Sequence, residues 1–185
     1  MALTSSDLDS WLPEPDICTR HRRATHADPD VLWAAARSVR LDQTRTIGQL
    51  VRWRIPGVAP SESFRNLLAQ EPFTVLEEGE RYSISGLVGR IWTLARDYPL
   101  VEDAEAFRAW KEPHTVRVLF AHWVQADGAG RSTLVSEARV APTDRRAAMR
   151  LRALWLAVGP FERLIGSEPL ELAVAGAERA QRGPR

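Results

Sequence analysis

The stretch TDRRAAMRLRALWLAVGPFERLI, residues 143–165, decides the fold of this chain. Its apolar residues recur three and four positions apart, which is the period of an amphipathic α-helix; they are Ala148, Leu151, Leu154, Trp155, Val158, Phe161 and Ile165. Thr143 is predicted as the N-cap, and Asp144 places a negative charge near the positive end of the helix dipole. Gly159-Pro160 predicts a kink, because proline lacks a backbone donor and crowds the preceding turn. A long C-terminal helix is therefore expected, with an apolar face that other elements must cover.

Upstream of this helix, the stretch from Phe73 to Val140 has no helical period, and short β-rich runs alternate with turn signals. Six strands are predicted there: Phe73–Glu77, Arg81–Val88, Ile91–Ala95, Phe107–Lys111, Thr115–Gln125 and Ser132–Ala141. Glu78-Gly79 and the DGAG run at 127–130 have the composition of hairpin turns. Neighbouring strands should therefore be antiparallel.

The N-terminal part of the chain predicts one more strand, from Asp16 to Ala27, followed by helices. Asp28 suits the N-cap and Pro29 the first position of the first helix. Apolar residues at helical spacing predict further helices at Ile47–Ile55 and Ser63–Ala69. Polar residues and two prolines in 1–15 predict a flexible arm, and the basic run 178–185 predicts a disordered tail. A single domain spanning 16–177 remains.

Bulk composition is that of one packed domain. The chain has 185 residues, 44% of them hydrophobic and 26% charged. A net charge of +1 gives no global field for binding nucleic acid. The single cysteine, Cys18, allows neither an internal disulfide nor a multi-cysteine zinc site. Since neither a signal peptide nor an apolar run of about 18 residues is present, a soluble cytoplasmic protein without membrane insertion is expected.

The order strand, two or three helices, six strands and long helix predicts an α+β fold. In this arrangement a curved antiparallel sheet of about seven strands wraps on the C-terminal helix, so that each apolar face is buried.

Four pieces of the sequence resemble a known superfamily: GLVGRIW (86–92), FRAWKEP (107–113), SEARV (136–140) and VGPFERLI (158–165). Together with the element order, they are similar to bacterial members of the START-like superfamily, also called SRPBCC or polyketide cyclase-like proteins. The resemblance spans about residues 16–170. It implies the helix-grip fold, with a hydrophobic ligand cavity between the curved sheet and the C-terminal helix. It implies no shared catalytic residue, because members range from lipid and hormone carriers to aromatase/cyclases.

Alternation along the predicted strands selects the side chains that face the helix. Phe120 and His122 lie on one such face, and Ser136 and Ala138 on the same face of the next strand. Small residues beside large aromatic ones would leave a gap that a ligand can fill. The predicted ligand-binding residues are Trp92, Trp110, Phe120, His122, Ser136, Ala138, Trp155 and Phe161. Each aromatic residue among them can equally be ordinary core, as buried aromatics usually are.

His122 is the one weak candidate for a catalytic residue. An imidazole on an apolar inward face can hydrogen-bond a ligand or transfer a proton near neutral pH. The alternative is a core histidine with a satisfied hydrogen bond, since no Asp or Glu is placed by the sequence to orient the ring. On the strand 81–88, Tyr82 lies on one face and Ser83 and Ser85 on the other, so either face can supply a hydroxyl group.

The remaining charged motifs are predicted to be structural. Glu137 and Arg139 alternate with the inward set and should face away from the helix. The run RHRR at 20–23 splits across two faces of a strand, which favours a solvated edge strand over a nucleic-acid groove. The four histidines lack the pairing of a metal site, and no cofactor motif is present.

Three functional hypotheses follow. The first is a carrier or sequestering protein for a small hydrophobic molecule of the lipid or aromatic polyketide class, acting as a monomer or homodimer without cofactor or metal. The second is an aromatase/cyclase-like enzyme in which His122 and a tyrosine or serine hydroxyl transfer protons. The third is an interaction module whose interior is filled by its own side chains.

Overall fold

The computed structural model describes residues 3–183 except 56, 94, 96 and 129, and it leaves out the side chains of 54 and 160–165. Twelve elements occur in the described ranges. In chain order they are a 3-10 turn (Ser5–Ser10), β1 (Ile17–Thr25), α1 (Pro29–Ser38), a 3-10 turn (Leu41–Gln43), α2 (Ile47–Arg54), α3 (Phe64–Leu67), β2 (Thr74–Gly79), β3 (Tyr82–Gly89), α4 (Ala104–Ala109), β4 (Val116–Ala126), β5 (Ser132–Pro142) and α5 (Arg145–Arg182).

The predicted α+β fold class is confirmed. The sheet is antiparallel throughout, with the strand order β1-β5-β4-β3-β2, so β1 joins the meander β2 to β5 at its last strand. Both predicted hairpins are present, between β2 and β3 and between β4 and β5, but the first turns at 80–81 because the predicted turn residues Glu78 and Gly79 pair within β2. In the described part of the chain the sheet has five strands, which corrects the prediction of about seven.

The two missing strands have local explanations. Residues 107–111, predicted as a strand, lie in and just after α4, because the Asp103 carboxylate accepts a hydrogen bond from the Ala106 amide (2.8 Å) and caps a helix there. Residues 91–93 form a turn, in which the Thr93 hydroxyl donates to the Arg90 carbonyl (2.9 Å). Apolar residues at 107 and 110 fit a short helix as well as a strand, and the cap decides between them.

Helix α5 contains 38 residues and is about 57 Å long. Its cap is Asp144, whose carboxylate accepts from the Ala147 amide (2.8 Å), whereas the predicted cap Thr143 donates instead to the Glu112 carbonyl (2.8 Å). The helix continues through Gly159 and Pro160, where a kink was predicted, and the side chains at 160–165 lie outside the described residues. It also includes 178–182, which were predicted to be disordered. No helix in the described ranges has the length and apolarity needed to cross a bilayer.

The two faces of the sheet are covered by different elements. One face, here called the helix face, packs against α1, α3 and α5. The other, here called the N-terminal face, packs against α4 and the segment 3–12. Leu8 and Leu12 of that segment are fully buried, and the Arg108 guanidinium lies 3.6 Å from the centre of the Trp11 ring. The prediction of a flexible arm over 1–15 therefore does not describe these residues, which form part of the core.

An ion cluster binds the N-terminal segment to the sheet. Glu137 has a fully buried side chain and accepts from Arg139 (2.7 Å), Arg20 (2.6 Å) and Ser5 (2.9 Å). Arg139 is also buried, and its Nη1 nitrogen donates to the Asp9 carboxylate (2.6 Å). Burial alone would raise the pKa of Glu137, but the hydrogen bonds from Arg20, Arg139 and Ser5 outweigh it, so the pKa lies below its usual value. Glu137 and Arg139 face away from α5 as predicted, yet they are buried.

Candidate functional site

Apolar packing on the helix face is divided into two separate clusters. The first, here called the α1 cluster, contains Ala27, Leu32, Trp33, Val39, Val124, Leu134, Leu170, Ala173 and Ala177. The second, here called the α3 cluster, contains Leu41, Leu67, Phe73, Leu87, Val116, Val118, Val140 and Leu151. Helix α5 takes part in both, through Leu151 at one end and Leu170 at the other, about 28 Å apart. None of the described α5 side chains between these two residues is fully buried.

The sheet residues between the clusters are only partly covered. Phe120 and His122 on β4, and Ser136 and Ala138 on β5, keep accessible surface. The next residues along the same face are buried at both ends: Val118 and Val140 on one side, Val124 and Leu134 on the other. The middle of a sheet is normally its driest part, so a space remains here above the strands that no described side chain of α5 fills.

A row of polar side chains crosses the sheet at this space. His21 of β1 lies opposite Ser136 of β5, Ser136 lies opposite His122 of β4, and His122 lies opposite Ser83 of β3. Directly opposed residues of antiparallel strands project to the same face, so all four side chains lie on the helix face. We call these four residues the polar row. The adjacent row, Thr19, Ala138, Phe120 and Ser85, lies on the same face.

Three members of the polar row have no hydrogen-bonding partner among the described residues: the Ser83 hydroxyl, the Ser136 hydroxyl and the His122 ring. All three residues are partly accessible. They are therefore accessible from the space on the helix face, where water or a ligand can satisfy them.

The electrostatics of His122 agree with an interior space. The ring keeps some accessible surface, yet it lies deep enough that burial lowers its pKa from 6.5 to about 4. His122 is then neutral at physiological pH, so one ring nitrogen can donate a hydrogen bond and the other can accept one.

Helix α5 comes very close to the polar row at Gly166. A Cβ atom at this position would overlap the His21 ring, so only glycine allows the approach. The Trp155 ring lies on the same side of the helix as Leu151, one turn further on, and is half-buried. Glu168 fixes the helix further along, because its carboxylate accepts from the amides of Arg45 (2.5 Å) and Thr46 (3.1 Å) at the start of α2.

Two glycines of α5 are expected to respond oppositely to alanine. Gly176→Ala should raise the free energy of unfolding by about 0.5 to 1 kcal/mol, because alanine favours helix and the nearest atom, the Ala35 Cβ, is 3.6 Å away. Gly166→Ala should instead lower it by about 1 kcal/mol or more, because the His21 ring must move. Urea unfolding of both variants measures this, and an equal gain at the two positions would contradict the close contact.

The structure brings together four of the eight predicted ligand-binding residues. Phe120, His122, Ser136 and Ala138 lie side by side on the helix face, and Trp155 lies on α5, one turn beyond Leu151. Trp92 packs at the edge of the α3 cluster, and its buried indole nitrogen has no described hydrogen-bond partner. The side chain of Phe161 lies outside the described residues.

Trp110, also predicted as a ligand-binding residue, does not lie with these residues. It packs on the N-terminal face, and its indole nitrogen donates to the Thr115 hydroxyl (3.0 Å). The error follows from the helix α4, which turns this residue away from the face expected for a strand. Tyr82 is also on the N-terminal face, where its hydroxyl donates to Glu77 (2.6 Å), so Ser83 and Ser85 supply the hydroxyl groups of the helix face.

Two residues of the polar row were not among the predicted site residues. His21 lies within the basic run 20–23 and was interpreted as part of a solvated edge strand; β1 is indeed an edge strand. Because His21 alternates with Arg20 and Arg22, the sequence could have placed its side chain on the inner face. It could not have shown that His21 lies opposite Ser136. Ser83 was predicted only as a possible source of a hydroxyl group. The sequence did not show which strand pairs with it, and therefore did not show which face it occupies.

A hollow opens beside the α3 cluster. Its volume is about 520 Å³, and its walls are Ile55, Gly57, Val58, Ala59, Glu62, Gln70, Glu71, Pro72, Tyr98 and Leu100. Ile55, Val58 and Tyr98 also pack against the α3 cluster, whose Phe73 meets Phe120 edge to face with ring centres 5.8 Å apart. The aromatic pair thus connects the cluster beside this hollow with the space above the polar row.

No family model matches the chain, and no curated protein matches it. Solved structures do resemble it. A hypothetical protein of Helicobacter pylori is 10% identical over 91% of this chain and 93% of that chain, with a TM-score of 0.40. The Zhui aromatase/cyclase of Streptomyces sp. R1128 is 15% identical over 91% of this chain and 99% of that chain, with a TM-score of 0.33. Norcoclaurine synthase of Thalictrum flavum is 12% identical over 91% of this chain and 87% of that chain, with a TM-score of 0.31.

At these TM-scores the likenesses carry no argument about ligand or reaction. The fold is defined by the strand order and by the position of α5 across β1 and β5.

Proposed function

We propose that this protein binds a small hydrophobic molecule between the helix face of the sheet and α5, and that it acts as a carrier or sequestering protein. The observation that carries the proposal is the partly accessible set of Phe120, His122, Ser136 and Ala138 between two buried clusters. A protein interior is close-packed, and an unfilled space in it lowers stability. A ligand that fills the space offsets that loss.

The walls favour an apolar occupant with some polar contacts. Phe120 and Trp155 offer aromatic surface, while Ser136 and His122 offer hydrogen-bonding groups. Small-molecule sites typically combine a mostly apolar lining with a few polar groups that fix orientation. Native mass spectrometry of the protein purified from its host, and a thermal-shift screen of lipids and aromatic compounds, should detect a bound molecule by its mass and by the rise in melting temperature.

Filling the space should separate a binding protein from a module with a solid interior. Ala138→Leu is expected to leave the free energy of unfolding unchanged or raised, because the added carbons enter unoccupied space, and to abolish ligand binding. The matched control is Ala121→Leu on the neighbouring strand and opposite face, where Ala121 is fully buried. That control should lose about 1 to 3 kcal/mol through overpacking. Urea unfolding and ligand titration measure both.

Equal losses of stability in the two variants would contradict the proposal. They would mean that side chains already fill the region above Ala138, and the alternative of a ligand-free interaction module would then be preferred.

The enzymatic alternative has one supporting feature, the imidazole of His122 between the hydroxyls of Ser136 and Ser83. A general base works best when its pKa is near the working pH. The pKa of about 4 makes His122 a weak base, and no described carboxylate forms an ion pair with it to orient the ring. These properties favour hydrogen bonding to a ligand over proton transfer, so binding remains the preferred function.

A further inference from the structure

The polar row narrows the class of ligand, and this inference rests on the proposed binding function. Adjacent strands are about 4.8 Å apart, so Ser136, His122 and Ser83 offer hydrogen-bonding groups along a line of about 10 Å. Apolar side chains border this line on both sides: Phe120 and Ala138 in one direction, Val124 and Leu134 in the other. A molecule lying here meets a polar stripe within an otherwise apolar surface.

A hydrocarbon is a poor match for this stripe. Three polar side chains without a hydrogen-bonding partner in the described part of the chain lose their hydrogen bonds to water when an apolar molecule covers them. Leaving a buried polar group unsatisfied costs far more than a hydrogen bond gains, so a ligand without polar atoms would be strongly penalised here.

A charged ligand is a poor match as well. Two arginines on the helix face already have partners: Arg23 forms an ion pair with Glu171 (2.6 Å), and Arg81 forms one with Asp30 (2.6 Å). His122 is neutral at physiological pH. An anionic group placed on the row would therefore lose its hydration without gaining a described counter-charge.

We infer that the ligand is an uncharged molecule with an apolar skeleton that carries two or more hydroxyl or carbonyl oxygens along one edge, and that Ser136, His122 and Ser83 hydrogen-bond this edge. Serine hydroxyls and a neutral imidazole both donate and accept, so they bind hydroxyl and carbonyl oxygens alike. The walls hold the skeleton, and the polar row sets its orientation.

Matched probes test this inference by displacement of the uncharged dye N-phenyl-1-naphthylamine. The first probe, 1,8-dihydroxyanthraquinone, carries three oxygens along one edge of an apolar ring system. The second, anthracene, has the same three rings without oxygen, and the third, palmitate, is a charged lipid. The wild-type protein should bind the first probe at least about tenfold more tightly than either of the others.

The double variant Ser136→Ala/His122→Leu removes two members of the row. It should weaken binding of 1,8-dihydroxyanthraquinone at least about tenfold and leave that of anthracene unchanged or tighter, because the variant removes two polar groups that anthracene leaves unsatisfied. The control Thr133→Ala removes a hydroxyl from the opposite face of the same strand and should change neither affinity. Circular dichroism checks the fold; if the double variant does not fold, Ser136→Ala alone serves, with a smaller loss confined to the oxygenated probe.

The outcomes separate the two proposals. Equal affinities of the wild type for the oxygenated probe and anthracene, or equal losses for both in the variant, would overturn the role of the polar row while leaving the cavity intact. Preference for palmitate would overturn the uncharged class. Binding of 1,8-dihydroxyanthraquinone to Ala138→Leu as tightly as to the wild type would overturn the binding function itself.

Discussion

Glu137→Ala is expected to lower the free energy of unfolding by about 3 to 5 kcal/mol, the largest effect of any substitution considered for this protein. Arg139 would lose its closest buried partner while its own side chain stays 6% exposed. A buried charge without compensation is much more costly than the pair is favourable. The N-terminal segment should also loosen, because Ser5 and Arg20 both hydrogen-bond the Glu137 carboxylate.

Urea unfolding measures this loss, and Glu78→Ala is the matched control. Glu78 pairs with Arg65 (3.0 Å), but both side chains are about 40% exposed, and such surface pairs contribute about 0 to 1 kcal/mol. The double variant Glu137→Leu/Arg139→Met should lose less than Glu137→Ala, because it leaves neither member of the pair as an isolated charge. A loss at Glu137 no larger than that at Glu78 would show that the cluster does not hold the N-terminal segment.

The second large effect is a pH dependence of stability that comes from His122. Its pKa is about 4 in the folded protein against 6.5 for the ordinary side chain. Between these values the unfolded chain binds a proton that the folded protein does not, so stability falls as pH is lowered from 6.5 to 4. The full shift corresponds to about 3 kcal/mol as an upper bound.

His122→Gln should remove this dependence. The difference in unfolding free energy between wild type and variant should change by up to about 3 kcal/mol between pH 7.5 and pH 4, with the wild type losing more at low pH. Carboxylates such as Glu137 titrate in both proteins, so their contributions to the unfolding free energy cancel in the difference. The control is His26→Gln, whose exposed side chain lies outside the polar row; it should keep the wild-type profile. Parallel profiles for His122→Gln and wild type would contradict the buried position of the ring.

A bound ligand should affect these measurements. Binding to the folded state alone adds to stability by mass action, so unfolding is best followed on protein freed of any co-purified molecule. If the wild type retains a ligand, the apparent loss of stability in Ala138→Leu will also include the stabilisation that the ligand gives the wild type. Comparing ligand-free and ligand-loaded wild type gives the correction directly.

The local features of the fold were available from sequence because each depends on neighbours along the chain. Helical spacing predicted α5, and alternation placed Phe120, His122, Ser136 and Ala138 on one face. Asp28 caps α1 as predicted, with its carboxylate accepting from the Asp30 amide (2.8 Å). The local errors, at α4 and at the cap of α5, came from assigning a short apolar run by period alone when a nearby Asp cap decided the outcome.

Tertiary structure decided what lies opposite each face, and the site depends on that. Periodicity predicts on which side of its own element a side chain lies, but it does not predict which distant element covers that side. Only the pairing of β1 with β5 places His21 beside Ser136, and only packing puts Trp110 on the far side of the sheet. The burial of Glu137 and Arg139 likewise depends on a segment more than a hundred residues away. Long-range contacts of this kind leave no period in the sequence, because the residues that form them are not neighbours in the chain.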